Sequence, residues 1–202
     1  MVAAVETTPT MTRPGTPTDR ILTVSLIVAP LLYLATDTLY AVAGWDSAAG
    51  GVLHVLGAIA YGLVVLRVAT WLPSDGGLTA WLFAVAVAGA VGNAAYGFEA
   101  IHQSFGDVAL VDCSGAAVVI KPLGLLFPLS MLLVSWALQR LHHRLPAGLV
   151  LVGAIGWPIA HIANIGAVAV LVNLLFVVAF GLIAWESPRH EPGLSGGRAS
   201  VR

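Results

Sequence analysis

Six ionisable side chains lie inside otherwise apolar stretches of this sequence, and their types suit them for binding or proton chemistry. An ionisable group at the centre of a membrane helix costs roughly 2.5 to 3.5 kcal/mol on insertion scales, so it normally faces the interior of a helix bundle and has a role. The six are Asp37, His54, Glu99, His102, Lys121 and His161. Carboxylates and histidines of this kind hold cations, exchange protons or ligate metals.

Helical spacing places partners beside several of these groups. Tyr33, Asp37 and Tyr40 recur at i, i+4 and i+7, so one helix face carries a carboxylate between two phenols. Glu99 and His102 stand three residues apart and share another face. Such stripes favour hydrogen-bonded networks between helices.

The elements that carry these residues are predicted from hydropathy. The mean hydropathy is +0.92, and 58% of the residues are hydrophobic whereas 9% are charged, far from the roughly 25% charged residues of a soluble domain. A bilayer core about 30 Å thick needs roughly 20 apolar helical residues. The sequence supplies six such spans, at about 21–43, 49–71, 78–103, 115–138, 147–164 and 166–185.

The fold class predicted from these spans is all-α: a polytopic membrane protein with a bundle of six transmembrane helices. The spans lack the alternation of barrel strands, and backbone groups in hydrocarbon must be bonded internally, so helices fit best. The last two spans form one run of about 39 apolar residues, too long for a single crossing. Asn164 and Gly166 tolerate the left-handed conformation that ends a helix, which predicts a hairpin there.

Basic residues predict the orientation and the location. Eight of the nine Lys and Arg fall on the side shared by both termini, and Lys121 is the exception. Because basic residues near span ends are retained in the cytoplasm, both termini are predicted to be cytoplasmic and the protein to be multi-pass in the plasma membrane. Residues 1–20 and 186–202 are predicted to be disordered cytoplasmic tails around a six-helix domain, 21–185.

Depth is the most informative property of the six ionisable residues. Asp37, His54 and Lys121 each lie about 8 to 9 Å from the outer end of their spans, and the other three lie nearer that end. All six therefore fall in the outer half of the membrane, on five helices. The outer half and its loops carry five acidic residues against Lys121 alone, a balance that attracts cations.

These observations predict a polar pocket in the outer half of the membrane that binds a small cationic or amphipathic ligand. If the protein is a transporter, this ligand is the species that it carries. Asp37, Glu99, His102 and Lys121 are the predicted ligand-binding or acid/base residues, and they are expected to point inward together. The alternative without a binding role is that Asp37 and Lys121 form a structural ion pair, in which each charge compensates the other when both are buried. The sequence shows no inverted repeat, the usual sign of an alternating-access transporter. A homodimer would compensate for the missing repeat.

Three alternatives remain open at this point. The first is an intramembrane acid/base enzyme acting on an isoprenoid or acyl lipid, with Glu99 or Asp37 moving the proton. The second is a haem or metal protein with His54, His102 and His161 as cofactor ligands; the cofactor and the metal themselves are left unknown. The third is an accessory subunit whose polar residues only hold helices together.

Several classes of function find no support in the sequence. The single cysteine, Cys113, excludes an internal disulfide framework. No GxGxxG, P-loop or HExxH motif is present. Basic residues follow the topology rule and form no patch, so nucleic acid is not a predicted partner. The predicted partners are the lipid bilayer, a small-molecule or lipid ligand and a second copy of the chain.

Overall fold

The computed structural model describes residues 15–186 as six long helices. They are α1 (Pro17–Ala43), α2 (Ala48–Ala69), α3 (Gly77–Gln103), α4 (Ile120–Arg140), α5 (Arg144–Ile162) and α6 (Gly166–Glu186). All six are long and apolar enough to cross a membrane, and no strand occurs between residues 15 and 186. The predicted all-α, six-span fold is confirmed, and the chain is a multi-pass membrane protein.

The boundaries differ from the predicted ones by a few residues, most clearly at the start of α1. The Thr16 side chain accepts a hydrogen bond from the Asp19 backbone N–H at 3.2 Å, and Pro17 occupies the first helical position. Both residues suit a helix start. Residues 17–20 therefore form the first turn of α1 and are not part of an N-terminal tail. The rest of that tail before residue 15, and the C-terminal tail after residue 186, lie outside the described residues.

The hairpin between α5 and α6 is where the sequence predicted it. Asn164 has a φ of 59°, in the left-handed region, and α6 begins two residues later at Gly166. Asparagine is one of the few residues with a side chain that adopts this conformation readily. The long apolar run is thereby divided into two crossings.

The helices form a closed ring in which each contacts its neighbours in chain order and α6 returns to α1. We call the end formed by the α1–α2, α3–α4 and α5–α6 connections the distal end, and the opposite end the proximal end. The distal end is the one that the sequence predicts to face outward. Two short 3-10 turns, Leu110–Asp112 and Gly115–Val119, lie in the connection from α3 to α4 at this end.

The proximal half is filled by buried aliphatic side chains from all six helices. These include Leu22, Leu26, Val64, Val68, Leu82, Val134, Leu138, Val150 and Ile183. At its edge, Arg67 Nη1 contacts Asp19 Oδ1 at 2.7 Å and joins α2 to α1. This half holds the ring together and has a close-packed centre.

The backbones of α3 and α4 approach each other closely because α3 presents glycines at the contact. A Cβ on Gly89 would lie 2.8 Å from the backbone N of Phe127, and one on Gly92 would overlap the backbone of Leu123. Only glycine fits at such positions. This contact brings polar side chains of α3 within reach of α4 carbonyl groups.

Candidate functional site

A cavity of about 500 Å³ lies in the distal half of the ring. Its walls are mostly aromatic or imidazole rings, contributed by α1, α2, α3, α5 and the α1–α2 connection. These rings belong to Tyr40, Trp45, His54, Tyr96, Trp157 and His161. Leu125 and Ile162 add apolar surface, and Lys121 stands in the wall as the cationic side chain. The volume falls within the range of about 300 to 1,000 Å³ that is typical of ligand pockets.

Trp45 is the centre of this group of rings. It lies in the connection between α1 and α2, and its ring centroid is 5.3 Å from Tyr40, 5.7 Å from His54 and 6.1 Å from His161. All three contacts are edge-to-face, a favoured aromatic geometry. The connection thus folds back into the bundle and places an indole among the cavity walls.

His161 connects the cavity wall to a buried carboxylate. Its ring stacks on Trp157 with centroids 4.1 Å apart. Its Nδ1 lies 2.9 Å from the Trp157 carbonyl oxygen, and its Nε2 lies 3.4 Å from Asp37 Oδ1. Asn173 Nδ2 of α6 donates to Asp37 Oδ2 at 2.5 Å. Asp37 is 2% exposed, so this network lies behind the wall and outside the cavity itself.

His54 is oriented by a second network that begins with a proline. Pro128 has no backbone N–H, so the carbonyl of Gly124, four residues earlier in α4, lacks its helical donor. Asn93 Nδ2 donates to that carbonyl at 3.3 Å and to the Gly89 carbonyl at 3.1 Å. With its amide hydrogens used, Asn93 offers Oδ1 to His54 Nε2 at 3.2 Å. His54 Nε2 is therefore the donor and Nδ1 is left as an acceptor.

Several buried polar atoms near these networks have no hydrogen-bond partner among residues 15–186. They are the hydroxyls of Tyr33 and Tyr61, Trp157 Nε1 and Asn173 Oδ1. The Tyr33 ring lies 4.8 Å from His54 and 4.9 Å from Tyr61 by centroid distance. Unpaired polar atoms cost stability, and packing alone does not require them around and below the cavity.

The structure separates the four residues that the sequence expected to converge. Lys121 lines the cavity but is 56% exposed at its side chain, and its Nζ lies 3.3 Å from Asp112 Oδ1. Asp37 contacts His161 instead, so the proposed Asp37–Lys121 ion pair is wrong. The reason is that Lys121 lies in the first turn of α4, next to the loop that carries Asp112.

Glu99 and His102 lie away from the cavity. Glu99 is 1% exposed; its Oε1 accepts from Gln103 Nε2 at 2.9 Å, and its Oε2 has no partner among the described residues. His102 Nδ1 lies 3.4 Å from Asp107 Oδ2, near the distal surface. Neither residue lines the cavity, so the expected inward convergence of all four is not what the structure shows.

The three histidines considered as cofactor ligands are also divided. His54 and His161 line the same cavity, whereas His102 does not. Both His161 nitrogens already face protein acceptors, whereas His54 Nδ1 has no hydrogen-bond partner among residues 15–186. Within residues 15–186 no group of three His, Cys, Asp or Glu side chains is placed to hold a metal ion.

Sequence reasoning missed the residues that build the networks, namely Asn93, Asn173 and Trp45. The first two are 0% exposed in the middle of apolar spans. The cost of burying a polar group applies to an amide as well as to a charge, so counting amides in the spans would have found both. Trp45 follows a predicted span end, where a tryptophan usually marks the membrane interface, and its inward position depends on the conformation of the α1–α2 connection.

Comparison of the chain with models of known protein families, with curated proteins and with solved structures gave no match.

Proposed function

We propose that this membrane protein binds a small organic cation with an apolar part in its distal cavity. The observation that carries the proposal is the convergence of four indole or phenol rings, Tyr40, Trp45, Tyr96 and Trp157, on one cavity of about 500 Å³. A cation over the face of such rings gains about 0.5 to 2 kcal/mol per contact, most where water is excluded. Aromatic enclosures of this type suit ammonium groups.

The charges around the cavity support a cationic ligand. Asp37 lies directly behind His161, and Asp46, Asp107 and Asp112 lie in the distal connections. The cation of Lys121 is already paired with Asp112. A distal end with an excess of acidic residues raises the local concentration of cations and repels anions.

The apolar walls support an amphipathic rather than a purely polar ligand. Leu125, Ile162 and Val111 complete the lining. Between the cavity and the aliphatic proximal half, the bundle is filled by buried rings, among them Tyr33, Tyr61 and Phe127. We therefore propose binding from the distal end; transport through the bundle would require these rings to move.

Benzyltrimethylammonium is a suitable probe because it carries a fixed charge and an aromatic group. Binding is measured by isothermal titration calorimetry with the protein in phosphatidylcholine nanodiscs, whose zwitterionic lipid does not concentrate cations. We expect saturable binding to the native protein. Trp45→Leu should weaken it at least about tenfold, which corresponds to about 1.4 kcal/mol.

Trp81→Leu is the matched control, since Trp81 is 66% exposed on α3 and far from the cavity lining. Its affinity for the probe should equal that of the native protein. Absence of saturable binding, or an equal loss in the Trp45 and Trp81 variants, would refute the proposal.

A further inference from the structure

We propose that the cation site exchanges its ligand for a proton: binding of an organic cation releases one proton held between Asp37 and His161. The inference rests on the proposed cation binding and adds a second transported or sensed species, the proton, to the same site. It is carried by the hydrogen-bond geometry of the Asp37–His161 pair.

The Asp37–His161 pair carries one proton more than a neutral imidazole and an ionised carboxylate would carry together. A backbone carbonyl only accepts, so His161 Nδ1, at 2.9 Å from the Trp157 carbonyl oxygen, is a donor. Nε2 then faces Asp37 Oδ1 at 3.4 Å. If Nε2 carried no hydrogen and Asp37 were ionised, the lone pair of Nε2 would face the carboxylate. The buried negative charge would then have no counter-charge, at a prohibitive cost. A proton therefore lies between the two groups, on Nε2 or on the carboxyl.

The position of His161 couples this proton to the cavity. The imidazole is itself part of the wall, stacked on Trp157 and beside Tyr40 at a centroid distance of 6.2 Å. A fixed cation in the cavity would lie next to any positive charge on that ring. In a low-dielectric site this repulsion is strong, and loss of the proton removes it.

Asp37 remains stabilised after the proton leaves. Asn173 Nδ2 donates to Asp37 Oδ2 at 2.5 Å in either state, and the bound cation takes over the role of counter-charge. The charges balance: one cation enters, one proton leaves to solvent, and the net charge of the site is unchanged. No bond to carbon is made or broken and no electron is transferred.

The other titratable groups that face this part of the cavity come from three further helices and from α1 itself. They are Tyr40 on α1, His54 on α2, Tyr96 on α3 and Lys121 on α4, and Tyr33 on α1 and Tyr61 on α2 lie near Asp37 behind the wall; α6 contributes the uncharged Asn173. Because any of them would also respond to a cation, the experiment must assign the proton to Asp37. Removing the Asp37 carboxyl does so.

The experiment measures protons released per bound ligand. Benzyltrimethylammonium has no N–H and supplies no proton itself. Its binding enthalpy at pH 7 is measured in phosphate and in MOPS, which differ in ionisation enthalpy and are not net cations, so the difference gives the number of protons released. We expect close to one for the native protein and close to zero for Asp37→Asn. Glu99→Gln, which alters a buried carboxyl outside the cavity, should still release one.

A second measurement needs no variant and remains decisive if Asp37→Asn does not fold. By linkage, release of one proton per ligand makes the native affinity rise about tenfold for each pH unit. Binding with no proton release and no pH dependence would overturn the exchange while leaving the cation site intact. Absence of any binding would instead refute the proposed function. Release that persists in Asp37→Asn would also overturn the assignment to this pair.

Discussion

The two halves of the bundle differ in how they use buried space. The proximal half is filled with aliphatic side chains from every helix, and its buried charge, Arg67, is paired with Asp19 through Nη1 at 2.7 Å; only Arg67 Nε lacks a partner there among the described residues. The distal half contains a cavity, two hydrogen-bond networks and buried polar atoms without partners. Since the same six helices run through both halves, the difference lies in the side chains at each level.

This contrast indicates a division of labour. Close packing stabilises a helix bundle, whereas cavities and unpaired polar atoms destabilise it. The proximal half is therefore expected to supply most of the stability, whereas the cavity and the unpaired polar atoms of the distal half are expected to lower it. Substitutions in the two halves should separate stability from cation binding.

The largest expected effect is on stability alone, from Leu138→Ala in the proximal half. Leu138 is fully buried, and truncation of a buried leucine costs about 2 to 5 kcal/mol. The free energy of unfolding, measured by reversible denaturation in mixed micelles, should fall by that amount while benzyltrimethylammonium affinity stays within about twofold. Leu129→Ala, at a site 42% exposed on the same helix, is the control and should change little. A comparable loss of affinity in Leu138→Ala would contradict the division.

An intermediate effect on both properties is expected from Asn93→Leu in the distal half. The Gly124 carbonyl would lose its donor and His54 its orienting acceptor, so stability should fall by about 1 to 2 kcal/mol and cation affinity should fall as well. Pro128→Ala supplies the missing N–H to the same carbonyl. On the Asn93→Leu background it should restore part of the stability, which a double-mutant cycle would detect. Strict additivity would show that the proline and the asparagine are not coupled.

The smallest expected effect, and one of opposite sign, is from Tyr61→Phe. The Tyr61 hydroxyl is buried without a partner, so its removal should leave stability unchanged or raise it by up to about 1 kcal/mol. Tyr40→Phe is the matched control, because the Tyr40 hydroxyl donates to Asn164 Oδ1, and it should be destabilising. Marked destabilisation by Tyr61→Phe would mean that its hydroxyl is satisfied in the membrane.

The sequence predicted the fold well because the bilayer imposes one dominant rule. Span count, helix class and the α5–α6 turn at Asn164 all follow from hydropathy and backbone preference, and each is confirmed. Helix ends were less accurate, as at Pro17, because local capping decides them. The cytoplasmic placement of the termini stays a prediction.

The site was predicted only in part, because depth does not determine direction. His161, Glu99 and His102 all lie near the distal ends of their helices, yet His161 lines the cavity whereas Glu99 and His102 lie away from it. Which way a side chain faces depends on helix rotation, and rotation is set by packing that no single span encodes. The contact of Asn93 with an α4 carbonyl likewise depends on two helices at once.

The pairing of Pro128 with Asn93 has a consequence for assembly. Membrane helices insert individually and associate afterwards, when several vertical alignments of two apolar helices would be close in energy. The Gly124 carbonyl, which lacks a helical donor, and the second amide hydrogen of Asn93 meet in the alignment that the structure shows. Because Pro128 lacks a backbone N–H, the free Gly124 carbonyl favours this register of α3 against α4 before any ligand is present.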